Sequence, residues 1–510
     1  MTRIATASQT DAAQVATRRV DTAILLAIAA AMAILHIATN GRYGFHRDEL
    51  QVLSDALRPS WGYVAVPPLT PFLERIGLAL FGLSLVGLRI FAVLAQAAVI
   101  VVSGLMAREL GGNRLAQIAT AVAVALSPLP IFGGTEFQYT SFDFLWWVLV
   151  AYFVIRLLKS ENPRWWLAIG AVIGVGLLTK YSILFFVAGL LGGMLLTHAR
   201  RYFLSAWFWA GVALAIVIFL PNLLWQAQHG FVSYHFLQHI HARDVAEGRA
   251  KGFLTGQFWL CVNLFAAPMW IAGLVFYLRQ SRYRLLGWMY LISLALFIAG
   301  KGRFYYEAPA YPMLLAMGAV AGERWVHLLP RWARTAVVSV FFAGVAACGA
   351  YAIAVLVPLA PSGSLKHFAL SHSEDLREEI GWTELVRSVA SIRDSLPAGR
   401  QKSLGITVGN YGEAGAIDVF GPAYRLPRPI STTNSAWYWS YPDPAPTTFI
   451  VLGLSSEQAN AIFTGCRLAG HNGNSEGVIN EESKYHPDIF VCGSPKLSWP
   501  ELWKKYRSFG

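Results

Sequence analysis

Apolar runs long enough to cross a bilayer, or nearly so, lie near residues 20–39, 86–107, 115–131, 142–158, 165–180, 182–197, 202–221, 256–278, 284–299, 305–321 and 335–358. A spanning helix needs roughly 20 mainly apolar residues, so the pattern predicts about eleven transmembrane helices. The two runs on either side of Lys180 are the shortest pair, and two re-entrant half-helices there would preserve the same parity as two full spans.

The pattern changes after residue 361. Residues 362–510 are polar, with short β-rich stretches at 403–409, 447–454 and 488–493 that alternate with helical patterns at 374–396 and 455–464. A small soluble α/β domain follows from that alternation. The expected fold class is therefore a polytopic α-helical membrane part, 1–361, followed by a C-terminal soluble α/β domain, 362–510.

Composition agrees: of 510 residues, 55% are hydrophobic and only 14% charged, which argues against a soluble globular enzyme. The net charge of +12 is unevenly spread. The tail carries 14 Lys/Arg against 15 Asp/Glu, so the basic excess belongs wholly to the apolar part. Basic residues bracket alternate gaps, namely Arg18/Arg19, Arg108/Arg114, Lys159/Arg164, Arg200/Arg201, Arg279/Arg282/Arg284 and Arg324/Arg331/Arg334. This arrangement suits cytoplasmic anchoring loops and not nucleic-acid binding. With those gaps inside, the N-terminus is cytoplasmic and the tail external. The run at 20–39 has no clear cleavage signal after it and is read as a retained helix.

The same parity collects loop 40–85, turn 132–142, loop 222–255 and junction 300–305 on the external side. Most unusual polar residues of the membrane part fall there: Arg47, Asp48 and Glu49 after the first helix, Glu136 and Asp143 around the turn, His235 among the histidines of the third segment, and Lys301 and Arg303 in the junction. Charges at membrane depth cost a few kcal/mol each on insertion scales, so they pair or face a watery cavity. Each alone has an ordinary explanation: Arg47 and Asp48 neutralise each other, Asp143 caps a helix, Lys301 snorkels. Together they supply what transfer from a lipid phosphate to a hydroxyl requires, a carboxylate to take a proton and cations to hold the departing phosphate. Asp48 fills the first role; Arg47, Lys180, Lys301 and Arg303 fill the second. No nucleotide site is evident.

The stretch HRDELQVLSDALRPSWGYVAVPPLTPFLERIG at 46–77 resembles the first external loop of GT-C glycosyltransferases of family 39 and their relatives, the protein O-mannosyltransferase and aminoarabinose-transferase group. The matching residues are Arg47-Asp48-Glu49, Gly62-Tyr63 and Pro67-Pro68-Leu69, and the likeness extends to SFDFLWW (141–147), LLTKYS (177–182) and KGRFYYEAPAYPMLLAMGA (301–319). The resemblance implies a bacterial inner-membrane enzyme that moves a sugar, with inversion, from a polyprenyl-phosphate donor to a lipid, glycan or protein acceptor of the cell envelope. By that resemblance Asp48 is the base, with Glu49 beside it, and Asp143 organises the external loop or the acceptor. Tyr63, Glu136, His235 and Tyr305 are assigned to substrate binding. The midway luminal insertion of the eukaryotic members is missing from this chain, so protein mannosylation is not implied.

Members of that group have been discussed with a bound divalent metal, and Glu136 with His235 is the candidate ligand pair in this chain. No two-His spacing has the specificity of a metal motif, so no cofactor is required and a divalent metal is left open. Cys466 and Cys492 in the tail form one disulfide if that compartment is oxidising, whereas Cys261 and Cys348 read as inert core residues. The glycines of VGNYGEAGAIDVFG, 408–421, do not follow the G-x-G-x-x-G order, and close helix-on-strand packing is preferred over an anion cradle. Two other classes remain in view: a lipid-carrier flippase, which should show internal repeats with interrupted helices, and a non-catalytic envelope-assembly protein, which leaves the Arg-Asp-Glu loop unexplained.

Overall fold

The computed structural model describes the backbone of residues 2–510 and the side chains from residue 18 onward. Every apolar run named above is largely helical. Among the described residues, five helices are long and apolar enough to cross a membrane: the segment Arg18–Thr39 of the first helix, Leu85–Glu109, Tyr139–Ser160, Ala206–Gln228 and Arg331–Leu356. Three pairs bent by 59°, 104° and 104° at short breaks raise the number to eight if each is one span. The helices Trp165–Leu177 and Ile183–Leu195 have 13 residues each, which at 1.5 Å per residue is about 20 Å, short of the roughly 30 Å hydrocarbon layer. Lys180 sits in the break between them. The chain is a multi-pass membrane protein.

It packs into two compact units. The first comprises 1–39, 89–221 and 245–357; the second comprises 40–88, 222–244 and 358–510. The soluble tail thus shares a unit with two loops drawn from the membrane part, which the sequence does not announce.

In the first unit, helices approach closely where a side chain is missing. A Cβ on Gly170 would lie 2.0 Å from the carbonyl oxygen of Gly211, so Trp165–Leu177 and Ala206–Gln228 touch backbone to backbone there. Small residues serve this purpose between apolar helices, where packing rather than the hydrophobic effect drives association. Trp147, Phe186 and Tyr290 belong to the buried core of this unit.

In the second unit, loop 40–88 is not irregular. It folds into the helices Arg47–Ala56 and Leu69–Phe81, and much of 222–244 is helical as well. The tail forms a five-stranded sheet of β1 (Leu404–Thr407), β2 (Pro429–Ile430), β3 (Thr448–Val451), β4 (Arg467–His471) and β5 (Asp488–Cys492), in the order β2-β1-β3-β5-β4. β1 is parallel to β2 and β3, with Ile406 opposite Ile450, and β5 is antiparallel to β3 and β4. The three β-rich stretches of the sequence are β1, β3 and β5. β2 and β4 escape the pattern because β2 has two residues and β4 is largely exposed with a bulge between Leu468 and Gly470.

The helix Tyr411–Phe420 follows β1 and packs on the helix Arg47–Ala56. A Cβ on Gly415 would fall 2.5 Å from the carbonyl oxygen of Leu50, so only glycine permits this crossing. Leu50, Leu53, Ala416 and Ile417 are buried together there with strand residues Ile406 and Ile450. Gly409 likewise meets the backbone of Gly453, so packing accounts for the glycines of 408–421. Trp437 and Tyr441 pack with Trp499 and Trp503 in a core of their own.

Candidate functional site

Each unit gathers expected site residues into a polar cluster. In the second unit it is built on the first turn of Arg47–Ala56. His46 caps this helix: its ring Nδ1 accepts from the Asp48 N–H at 3.2 Å, while Glu49 Oε2 accepts from the His46 N–H at 2.8 Å. This reciprocal cap satisfies two otherwise orphan donors. It also gives Glu49, expected beside the base, a structural duty: the side chain is buried and closes the helix start.

Asp48 is partly exposed, and its Oδ1 accepts the Tyr411 hydroxyl at 2.8 Å. Tyr411 opens the helix Tyr411–Phe420, which Asn410 caps by accepting from Glu413 N–H at 3.0 Å. The Arg47 guanidinium lies 4.8 Å from the Tyr411 ring centre and pairs with Glu481 and, at 3.9 Å, with Glu482. Arg47, expected at the donor phosphate, is instead engaged by two glutamates and an aromatic face.

Burial, then the negative charge of Asp48, raises the Tyr411 phenol above its ordinary range, so Tyr411 remains a proton donor to Asp48. Burial raises Glu378 to about 7, opposed by the bond it accepts from the Glu481 N–H (2.7 Å) and by Arg47. Burial and Glu482 raise Glu413 well above the carboxylate range. Asp375 is raised by burial, with His46 opposing and Asp48 adding to it.

The first unit holds the other cluster. Asp143, inside Tyr139–Ser160, accepts from Trp147 Nε1 at 3.1 Å one turn on and from Ser182 Oγ at 3.0 Å. It attracts Lys180, against which Arg303 sets a like charge. The Lys180 ammonium lies 4.8 Å from the Tyr139 ring centre, 4.6 Å from Tyr306 and 5.7 Å from Tyr305. Three electron-rich faces and one carboxylate therefore hold it. Arg303 donates to the Tyr305 hydroxyl at 3.1 Å.

Lys301 is exposed, with φ of 48°, where it turns the chain out of the helix Arg284–Ala299. Tyr63 is buried; its hydroxyl donates to the Arg58 carbonyl at 3.1 Å and accepts from the Ser60 N–H at 3.0 Å, fastening its own loop. Glu136 is buried in the first unit and accepts from Gln138, while His235 is exposed on a helix of the second. Among the described residues, no group of three or more His, Cys, Asp or Glu side chains is arranged to hold a metal ion. Cys466 and Cys492 are joined in a disulfide; Arg467 of β4 faces Val491 of β5, so the two cysteines are the next opposed pair.

Tyr411, Glu481 and Glu482 are not legible in the sequence as site residues. Tyr411 lies inside the glycine stretch that reads as packing, and Glu481 is 434 positions from Arg47.

The fold is that of a known class of membrane protein. ArnT from Cupriavidus metallidurans in the apo state superposes with a TM-score of 0.57 over 92% of this chain and 97% of that one, at 15% identity. The same protein bound to undecaprenyl phosphate superposes at 0.54 and 14% identity, over 92% of this chain and 97% of that one. A family model described as dolichyl-phosphate-mannose-protein mannosyltransferase matches residues 65–225. The chain thus has the fold of the ArnT structures, and residues 65–225 are similar to the mannosyltransferase family. Among sequence relatives, a lipid A galacturonosyltransferase, RgtD of Rhizobium johnstonii, is 27% identical over 256 residues, covering 48% of this chain and 53% of that protein. An undecaprenyl phosphate-alpha-4-amino-4-deoxy-L-arabinose arabinosyl transferase of Pseudomonas aeruginosa is 27% identical over 284 residues, 52% of this chain and 51% of that one. The chain thus spans about half the length of the curated relatives it matches.

Proposed function

We propose that the chain is an inverting glycosyltransferase of the bacterial inner membrane. It takes a sugar from a polyprenyl-phosphate donor and passes it, on the periplasmic side, to a hydroxyl of a cell-envelope lipid. The relatives' names support the donor and the lipid acceptor, and the basic residues of alternate loops support the sidedness.

The observation that carries this reading is Asp48: a partly exposed carboxylate, fixed by the Tyr411 hydroxyl on a capped helix start. In the proposed step the acceptor oxygen attacks the anomeric carbon and its proton passes to Asp48. The bond from that carbon to the phosphate oxygen breaks, and the electron pair leaves with the polyprenyl phosphate. Lys180 and Arg303 are assigned to the phosphate as cations. Asp143 keeps Lys180 in place, a positioning role.

The test is transfer of label from a radiolabelled polyprenyl-phosphate sugar to envelope lipids by the purified protein. Removing a general base costs typically 10²- to 10⁴-fold, so Asp48→Asn should lower the rate by about a thousandfold without altering the melting curve. Normal turnover by that variant would refute the mechanism.

A further inference from the structure

A cavity formed wholly within the first unit has no part in the proposed reaction. Its volume is about 770 Å³, and it lies between the first helix, Leu85–Glu109 and Tyr139–Ser160. That is within the roughly 300–1,000 Å³ usual for ligand sites. Arg18, Arg19, Arg108, Arg156 and Lys159 line it, against a single acid, Glu109.

The internal pairing leaves the cavity cationic. Glu109 is shared by Lys159 at 3.0 Å and Arg156 at 3.5 Å, and Arg156 also lies over the Trp165 ring, 4.7 Å from its centre. Arg108 donates to the neutral Thr22 hydroxyl, at 3.1 Å. Asp21, the neighbouring acid on the first helix, is taken by Arg114 at 2.6 Å. Arg18 and Arg19 are exposed and, among the described residues, make no ion pair. Clustering like charges is unfavourable unless an anion is bound or screened there.

The rest of the lining indicates what kind of anion. Ala23 and Leu26 complete the cavity further along the first helix. From them an apolar surface continues, with Leu26 54% and Ile34 67% exposed. A ligand that fits has a phosphate at the arginine end and hydrocarbon along the helix. Basic pockets between transmembrane helices at the cytoplasmic side suit such head groups.

We propose that this cavity binds the phosphate head group of an anionic bilayer phospholipid, with the lipid chains lying on the Ala23–Leu26 face. The site is independent of Asp48 and of the transfer reaction. It gives the first helix a lipid anchor at its basic end.

Native mass spectrometry of the full chain in neutral detergent, titrated with phosphatidylglycerol, phosphatidylcholine or inorganic phosphate, tests this directly. Wild type should retain phosphatidylglycerol and not phosphatidylcholine. Each basic residue near a lipid head group is worth about fivefold in affinity, so Arg18→Gln/Arg19→Gln should weaken retention roughly 30-fold. If that double variant proves unstable, Lys159→Gln alone should weaken it about fivefold. Wild-type retention by the variants, or equal binding of phosphatidylcholine, would overturn the site. Displacement of the lipid by millimolar inorganic phosphate would assign a free anion and overturn the lipid.

Discussion

The Tyr411 hydroxyl donates to Asp48 Oδ1 at 2.8 Å across 363 positions of sequence. A residue of the tail thereby sets the position of the carboxylate in the Arg-Asp-Glu loop, and four predictions start from this and similar pairings.

Tyr411→Phe should slow transfer while leaving the fold intact. A hydrogen bond to a charged group contributes about 1.5–3 kcal/mol, so a loss of roughly tenfold or more in kcat/KM is expected. Steady-state label transfer, with circular dichroism as the fold control, measures it. An unchanged rate would leave Tyr411 a packing residue only.

Asp143 and Lys180 should behave as a unit. Asp143→Asn removes the charge that attracts the half-buried Lys180 and weakens the bonds from Trp147 and Ser182, a loss of about 1–3 kcal/mol. Lys180→Met should lower donor affinity, seen as a rise of roughly tenfold or more in donor KM. The double variant should regain much of the thermal stability lost by Asp143→Asn but none of the affinity. Additive losses of stability in the cycle would show the two side chains to be uncoupled.

Asp55 predicts a pH dependence. It is buried on the helix Arg47–Ala56, and burial raises it from 3.8 to about 8, opposed by Ser435 and Arg58 and reinforced by Asp418. The unfolded chain releases this proton near its ordinary value while the folded chain keeps it. Its contribution is therefore intact below 3.8 and lost as pH rises towards 8, by up to about 1.4 kcal/mol per pH unit. Asp55→Asn should flatten that fall, so its thermal midpoint should overtake the wild type's as pH increases. Parallel curves for the two proteins would contradict this.

The Cys466–Cys492 bond closes a segment with a sequence separation of 26, worth about 3–4 kcal/mol by loop entropy. The Cys466→Ser/Cys492→Ser pair should make the sheet edge β4–β5 much more sensitive to limited proteolysis. Equal cleavage rates with and without the bond would count against that.

Much of the fold is readable in the chain. The apolar runs locate the helices because each is a continuous hydrophobic stretch, and β1, β3 and β5 stand out because their buried residues are largely aliphatic or aromatic, as in TTFIVLGL. The helix Arg47–Ala56 does not stand out, since its sequence RDELQVLSDA is polar on average and its signal is the His46–Glu49 cap. The proximity of Tyr411 to Asp48 is out of reach for a different reason. It depends on Gly415 crossing Leu50, a long-range backbone approach with no local pattern.

That crossing has a consequence for attempts to alter acceptor choice by recombination. Because Gly415 rests on the backbone of Leu50, and Tyr411 on Asp48, the tail is not a cassette that exchanges cleanly at the end of the final apolar helix. A chimaera joined there would pair one parent's carboxylate with the other parent's phenol. The transplantable piece is discontinuous, 40–88 with 222–244 and 358–510, so an exchanged tail has to bring its own first loop.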